Sequence, residues 1–286
     1  MKYTKIPLNE TQTGMARLER DQLYSTATGE DLFLDVLHPW NTEKGFKYPL
    51  IVFVQGSAWT TPDRNYELPQ LSCLAKRGYV VATINHRDTQ KGHPVPAFLE
   101  DTKCAIRFLR ANAEKYGIDP ERVAIFGTSS GGNTSLLVGL TGDDPEYKTA
   151  EYAEYSDAVK TAVECFGPAD LLKLLFRPHP ELPKEQVEMY RLGFYGTRDE
   201  EKAKEIAKKL SPTLIVDENK EYPPFLVIQG SGDPVVPFAQ SKDFADRMEA
   251  AGKYVEFIEV EGAEHEGNFW SKELWHLIFD YFDRTL

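Results

Sequence analysis

The segment Gly127-Thr-Ser-Ser-Gly131 has the Gly-x-Ser-x-Gly pattern of a serine held on a sharp turn between a strand and a helix. An apolar run, Arg122–Phe126, precedes it, and a helical pattern, Asn133–Leu140, follows it. The hydroxyl of a serine on such a turn is exposed, and the flanking glycines let a substrate come close. The pattern therefore makes Ser129 a candidate nucleophile for acyl transfer.

A serine nucleophile needs a base that takes its proton and an acid that orients the base, and two later segments offer both. Asp233 stands in a Gly- and Pro-rich turn directly after one apolar run, and His265 stands in a Gly-flanked loop directly after another. The order Ser, Asp, His is the order expected for an α/β hydrolase. The sequence predicts that Ser129, Asp233 and His265 form a catalytic triad.

Apolar runs alternate with helical patterns along the chain around these residues. The runs typical of strands are 31–37, 49–54, 78–84, 122–126, 159–166, 224–229 and 254–260. The helical patterns cover about 96–116, 133–140, 237–251 and 271–282. This alternation predicts an α/β fold with a mainly parallel sheet and helices on both faces, and we expect residues 1–286 to form one domain.

The segment 169–222 is far longer than a simple crossover between strands requires. It contains a Pro-rich loop, Arg177-Pro-His-Pro180, and charged helical stretches. Its position after the half of the sheet that carries the serine favours a small helical cap over the site. A surface excursion without a role in binding is the alternative.

The charge balance limits the partners. The formal net charge is −12, and no run of Lys or Arg is longer than a pair. Phosphate-rich partners require a basic face, so the composition argues against nucleic acid and anionic membranes and favours a small molecule. No apolar segment is long enough for a signal peptide or a bilayer span, and we expect a cytoplasmic protein.

The three cysteines Cys73, Cys104 and Cys165 are odd in number and widely spaced, which fits small core side chains in a reducing compartment. No cluster has the spacing of metal ligands, so we expect no metal. His86 follows a predicted strand and is expected to be structural, and Glu264 and Glu266 beside His265 are expected to face solvent.

A series of motifs resembles the carboxylesterase group of α/β hydrolases that includes hormone-sensitive-lipase-like and feruloyl-esterase-like enzymes. The resemblance spans about residue 31 to the C-terminus. Its motifs, taken in order, are Gln55–Trp59, Phe98–Leu109, Tyr116–Val123, Gly127–Gly132, Ser211-Pro212, Pro223–Leu226 and Gly230–Pro237.

Acyl transfer also requires N–H donors for the oxyanion, and one is expected from Ser130, directly after the nucleophile. The family's oxyanion loop usually reads His-Gly-Gly-Gly-Trp, whereas this chain has Gln55-Gly-Ser-Ala-Trp59. The resemblance implies that the backbone N–H of Ser57 or Ala58 is the second donor. Their side chains narrow the space beside the oxyanion, which favours small or flat acyl groups.

The predicted function is that of a serine carboxylesterase that needs no cofactor. The resemblance makes short-chain or aromatic acyl esters plausible, such as acetyl or feruloyl esters of sugars. Trp59, Phe238, Phe269 and Trp270 lie in or near the predicted site loops, where they form either an aromatic wall for substrate or part of the core.

Two other functions remain open. An amide or peptide hydrolase can use the same triad, although the large propeller domain of many such peptidases has no room in 286 residues. A non-catalytic binding protein on a hydrolase scaffold is the second, and the presence of all three triad residue types argues against it.

Overall fold

The central sheet carries every loop on which the sequence places chemistry. The computed structural model describes residues 1–40, 45–176 and 183–286, and within them one sheet has eight strands in the order β1-β2-β4-β3-β5-β6-β7-β8. The strands are β1 Ala16–Ser25, β2 Leu32–Pro39, β3 Tyr48–Val54, β4 Val80–Ile84, β5 Ile118–Thr128, β6 Thr161–Cys165, β7 Phe225–Gly230 and β8 Val255–Val260.

Six of the strands run parallel to one another, and β1 and β2 complete the sheet in antiparallel fashion. Strand β3 lies between β4 and β5, so that Val52 pairs with Ala82 on one side and with Ile125 on the other. Because helices cover both faces, β4, β6 and β7 are buried along their whole length, as their continuous apolar character predicts. The predicted α/β fold is confirmed.

The described helices cover both faces of this sheet. They are α1 Leu68–Arg77, α2 Ala97–Ala111, α3 Ala113–Tyr116, α4 Ser130–Leu140, α5 Leu171–Leu175, α6 Lys184–Tyr195, α7 Glu200–Lys209, α8 Pro212–Ile215, α9 Ala239–Ala250 and α10 Lys272–Thr285. Side chains of α2, α4 and α9 belong to the apolar core on one face. Those of α1 and α10 belong to the core on the other face.

Three local predictions differ from the structure. The helix predicted over about 96–116 is interrupted at Asn112, where α2 ends and α3 begins, before Gly117 closes α3 with a φ of 66°. Strand β1 is absent from the predicted strands, because it is a largely exposed edge strand rich in charged residues and has no apolar run. The prediction that all three cysteines are core side chains is wrong for Cys73, which is exposed because α1 buries Leu71, Leu74 and Ala75 instead.

The long excursion after β6 contains helices α5 to α8. The predicted Pro-rich loop Arg177–Pro180 lies outside the described residues. The two ends of the excursion meet, since the N–H of Thr213 donates to the carbonyl of Ala169 over 3.0 Å. The amide of Asn133 on α4 donates to the carbonyls of Pro168 and Leu210, which ties both ends to the helix that follows Ser129.

Candidate active site

Ser129 occupies the turn between β5 and α4 in a strained backbone conformation, with φ 51° and ψ −122°. Three close approaches explain the glycines around it. A Cβ on Gly56 would lie 2.6 Å from the Cβ of Ser129, one on Gly127 would lie 2.0 Å from the carbonyl oxygen of Gly131, and one on Gly131 would lie 2.0 Å from that of Val54. These glycines therefore allow β3, the turn and α4 to pack without a gap.

The three residues predicted to form a triad lie together at the carboxyl ends of the strands. Nε2 of His265 is 3.0 Å from Oγ of Ser129, and Nδ1 of His265 is 2.7 Å from Oδ2 of Asp233. The Asp233 side chain is fully buried, whereas that of His265 keeps 16% of its surface exposed. The imidazole thus bridges a buried carboxylate and a hydroxyl at the edge of solvent.

The carboxylate of Asp233 is held at both oxygens. Oδ1 accepts the N–H groups of Val235 and Val236 over 2.8 and 2.9 Å, and Oδ2 accepts the side-chain amide of Gln229 over 3.0 Å in addition to its contact with His265. Burial by itself would raise the pKa of Asp233, but the bonds from His265, Val236 and Val235 outweigh it and lower that pKa below its ordinary value. The group is therefore an ionised acceptor at neutral pH.

The loop after β3 is folded against the Ser129 turn by hydrogen bonds. The N–H of Gly56 donates to Oγ1 of Thr128 and the N–H of Ser57 donates to Oγ of Ser130, each over 2.9 Å. Ala58 has a φ of 50°, and among the described residues its N–H has no acceptor. Of the two predicted donors in this loop, Ser57 is thus engaged in holding the loop, and Ala58 is the one with an uncommitted N–H.

Ser130 contributes to this corner in two ways. Its hydroxyl oxygen is the acceptor for the N–H of Ser57. Its own N–H is the first of α4, and the first N–H groups of a helix have no acceptor within the helix. The side chain of Gln55, which replaces the family's histidine, accepts the N–H of Asp63 over 2.7 Å and so fixes the far end of the same loop.

Of the four aromatic residues predicted in or near the site loops, Phe269 is fully buried, with its ring centroid 4.7 Å from that of Phe166. The other three lie in different places. Trp59 is buried, with its ring centroid 5.0 Å from that of Phe194 on α6. Trp270 stacks on Trp275 at 4.8 Å. Phe238 packs on Phe257 of β8 at 5.6 Å, and among the described residues its ring contacts neither Trp59 nor Trp270.

Two functional-site residues have no counterpart in the sequence prediction. The ring of Phe166 lies 4.7 Å from the imidazole of His265 and 5.9 Å from the ring of Trp270, so it joins these two side chains. Gln229 reaches Asp233 from the end of β7. The sequence does carry a signal for Gln229, because its polar side chain directly follows the apolar run Phe225–Ile228.

The other polar residues near the site differ in burial, and the pKa of His86 and that of Glu67 shift in opposite directions. His86 is buried against Phe98, and burial lowers its pKa to about 4, so the imidazole is neutral. Glu264 is exposed and Glu266 is half-buried. Burial first, then the charge of Glu266, raises the pKa of Glu67 to about 8.

Two features of the described ranges bear on ligands and membranes. Residues 1–40, 45–176 and 183–286 contain no group of three or more His, Cys, Asp or Glu side chains arranged to hold a metal ion. In the same ranges, every helix is too short or too polar to cross a bilayer.

The known proteins to which this chain is similar include esterases. The BD-FAE family model matches residues 34–248. The esterase LipC of Mycobacterium tuberculosis is 36% identical over 220 residues, which are 76% of this chain and 52% of that protein. The chain spans about half the length of the curated relatives it matches.

Solved structures show the same fold. A truncated carbohydrate esterase from gut microbiota has a TM-score of 0.79 and 28% identity, with 98% of this chain and 99% of that one covered. The butyrate-bound esterase Est2 of Thermogutta terrifontis has a TM-score of 0.75 and 24% identity, with 92% of each chain covered.

Proposed function

The chain belongs to the BD-FAE family, within the carboxylesterase group of α/β hydrolases, and on this premise we propose that it is a serine carboxylesterase that hydrolyses small acyl esters. The observation that carries the proposal is the chain of two contacts from Oγ of Ser129 through His265 to Asp233, at 3.0 and 2.7 Å. Both distances are within hydrogen-bond reach of a nucleophile, its base and the group that orients the base.

The ionised state of Asp233 decides which nitrogen of His265 carries the hydrogen before the reaction and which one is free to accept the proton of Ser129. A carboxylate can only accept, so Nδ1 carries the hydrogen that faces Oδ2, and the lone pair of Nε2 faces the hydroxyl of Ser129. His265 therefore removes the proton of Ser129 as the hydroxyl oxygen attacks the ester carbonyl. The same nitrogen then protonates the departing alcohol.

The oxyanion that forms in this step is proposed to bind the N–H groups of Ser130 and of the loop after β3. Ala58 is favoured over Ser57 in that loop, because the N–H of Ser57 already donates to Oγ of Ser130. Backbone donors fixed before the reaction stabilise the developing charge without reorganisation. Water, activated by His265, then attacks the acyl group on Ser129 and restores the enzyme.

We propose that the acyl group is small or flat, such as acetyl or feruloyl, and that the alcohol is a sugar. The side chains of Ser57 and Ala58 occupy space that two glycines of the usual oxyanion loop leave empty. The likeness to a carbohydrate esterase over almost the whole of both chains supports the sugar. Trp270 is the proposed aromatic contact near His265, whereas Phe238 has weaker support because its ring packs on β8.

The segment 169–222 is proposed to be a helical cap within a single domain that covers residues 1–286. Helix α6 supports this assignment, because Phe194 packs on Trp59, the residue after Ala58, and its carbonyl accepts the N–H of Val95 over 2.9 Å. A helix in this position borders the space in front of the oxyanion loop. A cytoplasmic location, which we also propose, would limit the substrate to small esters.

A substrate panel tests the function. Nitrophenyl esters from acetate to octanoate, methyl ferulate and an acetylated xylo-oligosaccharide are compared with a matched nitroanilide, and a fluorophosphonate reports on Ser129. We expect rapid hydrolysis of acetate, little of octanoate or anilide, and labelling at Ser129. Faster cleavage of the anilide than of the ester would indicate an amide hydrolase, and failure to label would indicate a non-catalytic protein.

A further inference from the structure

A second layer of buried polar side chains lies behind Asp233. We propose that Gln229 is a positioning residue for the reaction, which fixes the carboxylate of Asp233 in the orientation that His265 requires and is itself held by Ser241. This inference rests on the proposed function, because it assigns a role within the same triad. Gln229 touches neither the substrate nor the reacting atoms.

The amide of Gln229 is completely buried, and each of its ends has a partner. Nε2 donates to Oδ2 of Asp233 over 3.0 Å and to the carbonyl oxygen of Val236 over 3.1 Å. Oε1 accepts the hydroxyl of Ser241 over 2.9 Å. A buried polar group without a partner destabilises the fold, so this complete set of partners favours one arrangement of the amide.

Only one orientation of the amide satisfies these contacts. A rotated amide would bring Oε1 against the Asp233 carboxylate and the Val236 carbonyl, which are both acceptors. These two acceptors therefore fix Nε2 on their side, which leaves Oε1 facing the hydroxyl of Ser241, and that hydroxyl donates to it. The direction of hydrogen bonding therefore runs from Ser241 through Gln229 to Asp233.

The same oxygen of Asp233 receives both Gln229 and His265. Since Oδ1 is fixed by the N–H groups of Val235 and Val236, the bond from Gln229 prevents Oδ2 from turning about that anchor. Strand β7 supplies Gln229 and helix α9 supplies Ser241, so two rigid elements define the position of the acid. Side chains placed on rigid elements hold a catalytic geometry more closely than loops do.

Glu164 of β6 closes this layer without adding charge to it. Its Oε1 lies 3.4 Å from Oγ of Ser241 and accepts the N–H of Gly167. Burial, with the charge of Asp233 as a smaller cause, raises the pKa of Glu164 to about 8, so its carboxyl is a neutral acid at pH 7. Of the two buried carboxyl groups in this layer, Asp233 is therefore the ionised one.

The test combines a spectroscopic signature with kinetics in the whole protein. The hydrogen between His265 and Asp233 gives a low-field proton resonance that needs no substrate. In Gln229→Met, which keeps the shape and removes the donor, we expect this resonance to move or broaden, and kcat to fall about tenfold to a hundredfold with KM unchanged. Ser241→Ala should shift the same resonance less, and it serves if Gln229→Met does not fold.

Gln240→Met is the matched control, because it removes another buried glutamine, whose amide oxygen accepts the N–H groups of Ala169 and Asp170 and not the Asp233 network. Its resonance should stay at the wild-type position despite any loss of stability. An unchanged resonance in folded Gln229→Met or Ser241→Ala would overturn the inference, whatever happens to kcat. A wild-type protein that shows the resonance but hydrolyses no ester would instead overturn the proposed function alone.

Discussion

Nε2 of His265 lies 3.0 Å from Oγ of Ser129, although the two residues are 136 positions apart in the chain. Strands β6 and β7 separate β5, which leads to Ser129, from β8, which leads to His265. At about 4.8 Å per neighbouring strand, the ends of β5 and β8 are roughly 14 Å apart. The loop that carries His265 must therefore reach back across two strand ends, and Phe166 at the end of β6 packs against the imidazole on the way.

Replacing Ser129 by Ala tests the nucleophile. We expect kcat for nitrophenyl acetate to fall on the order of a million-fold, because the acyl-enzyme cannot form. Ser72→Ala, on α1, should keep wild-type turnover. A Ser129→Ala protein with more than a trace of wild-type turnover would remove this residue from the mechanism.

Replacing Ser130 by Ala tests the hydrogen bond that holds the oxyanion loop. The variant keeps its backbone N–H but loses the acceptor of the Ser57 N–H. We expect kcat to fall about tenfold, less than the hundredfold or more that follows the removal of an oxyanion donor. Ser135→Ala is the control, since that hydroxyl donates to the carbonyl of Gly131 on the same helix, and equal kcat values for the two variants would contradict the prediction.

Two Gly→Ala changes in helices should have opposite effects on the free energy of unfolding. In Gly131→Ala the new methyl group would lie 2.0 Å from the carbonyl oxygen of Val54, so α4 must move and we expect a loss of about 3 kcal/mol or more. In Gly193→Ala the methyl group meets nothing within 4 Å, and the higher helix propensity of alanine should add up to about 1 kcal/mol. Urea unfolding of both variants measures the difference, and a mild effect at Gly131 would be unexpected.

The buried carboxyl of Glu67 predicts a loss of stability at alkaline pH. Burial, together with Glu266 and Asp63, raises its pKa from 4.5 to about 8. Between these values the folded protein keeps a proton that the unfolded chain has released, so the stabilisation is complete below pH 4.5 and is lost as the pH rises to about 8. A neutral side chain removes this dependence.

We therefore expect Glu67→Gln to unfold at a higher temperature than the wild type at pH 9. Each unit of pKa shift corresponds to about 1.4 kcal/mol, which sets a ceiling of a few kcal/mol on the gain. The exposed Glu185→Gln serves as the control for the change in net charge. Parallel stability curves for Glu67→Gln and wild type from pH 5 to pH 9 would argue against a protonated Glu67.

The parts of this protein that could be predicted from its sequence depend on local chemistry. The apolar runs predict the buried strands because both faces of those strands lie under helices, and the turn at Ser129 is defined by adjacent residues. The prediction that Ser129, Asp233 and His265 lie close together also required only the rule that strand ends meet at one edge of a parallel sheet. These features need no knowledge of which helix touches which strand.

The parts that could not be predicted depend on contacts between distant segments. The N–H of Ser57 is engaged by Ser130, 73 residues later, so the choice between Ser57 and Ala58 is open in the sequence. The sequence marks Gln229 only as a polar residue at the end of an apolar run, and its partners Ser241 and Asp233 are evident only in the folded chain. Helix α1 was missed altogether, although Gly78 ends it with a φ of 103°.

The closed base of the excursion after β6 has a consequence for engineering. Because Ala169 and Thr213 are joined by a hydrogen bond and Leu171 is joined to Ser211, the chain enters and leaves this helical segment at neighbouring positions. A segment whose entry and exit lie side by side can be transplanted between homologues without changing the spacing of the strands. Chimaeras cut at these two points would exchange Phe194, which packs on Trp59, while Ser129, Asp233 and His265 stay as they are.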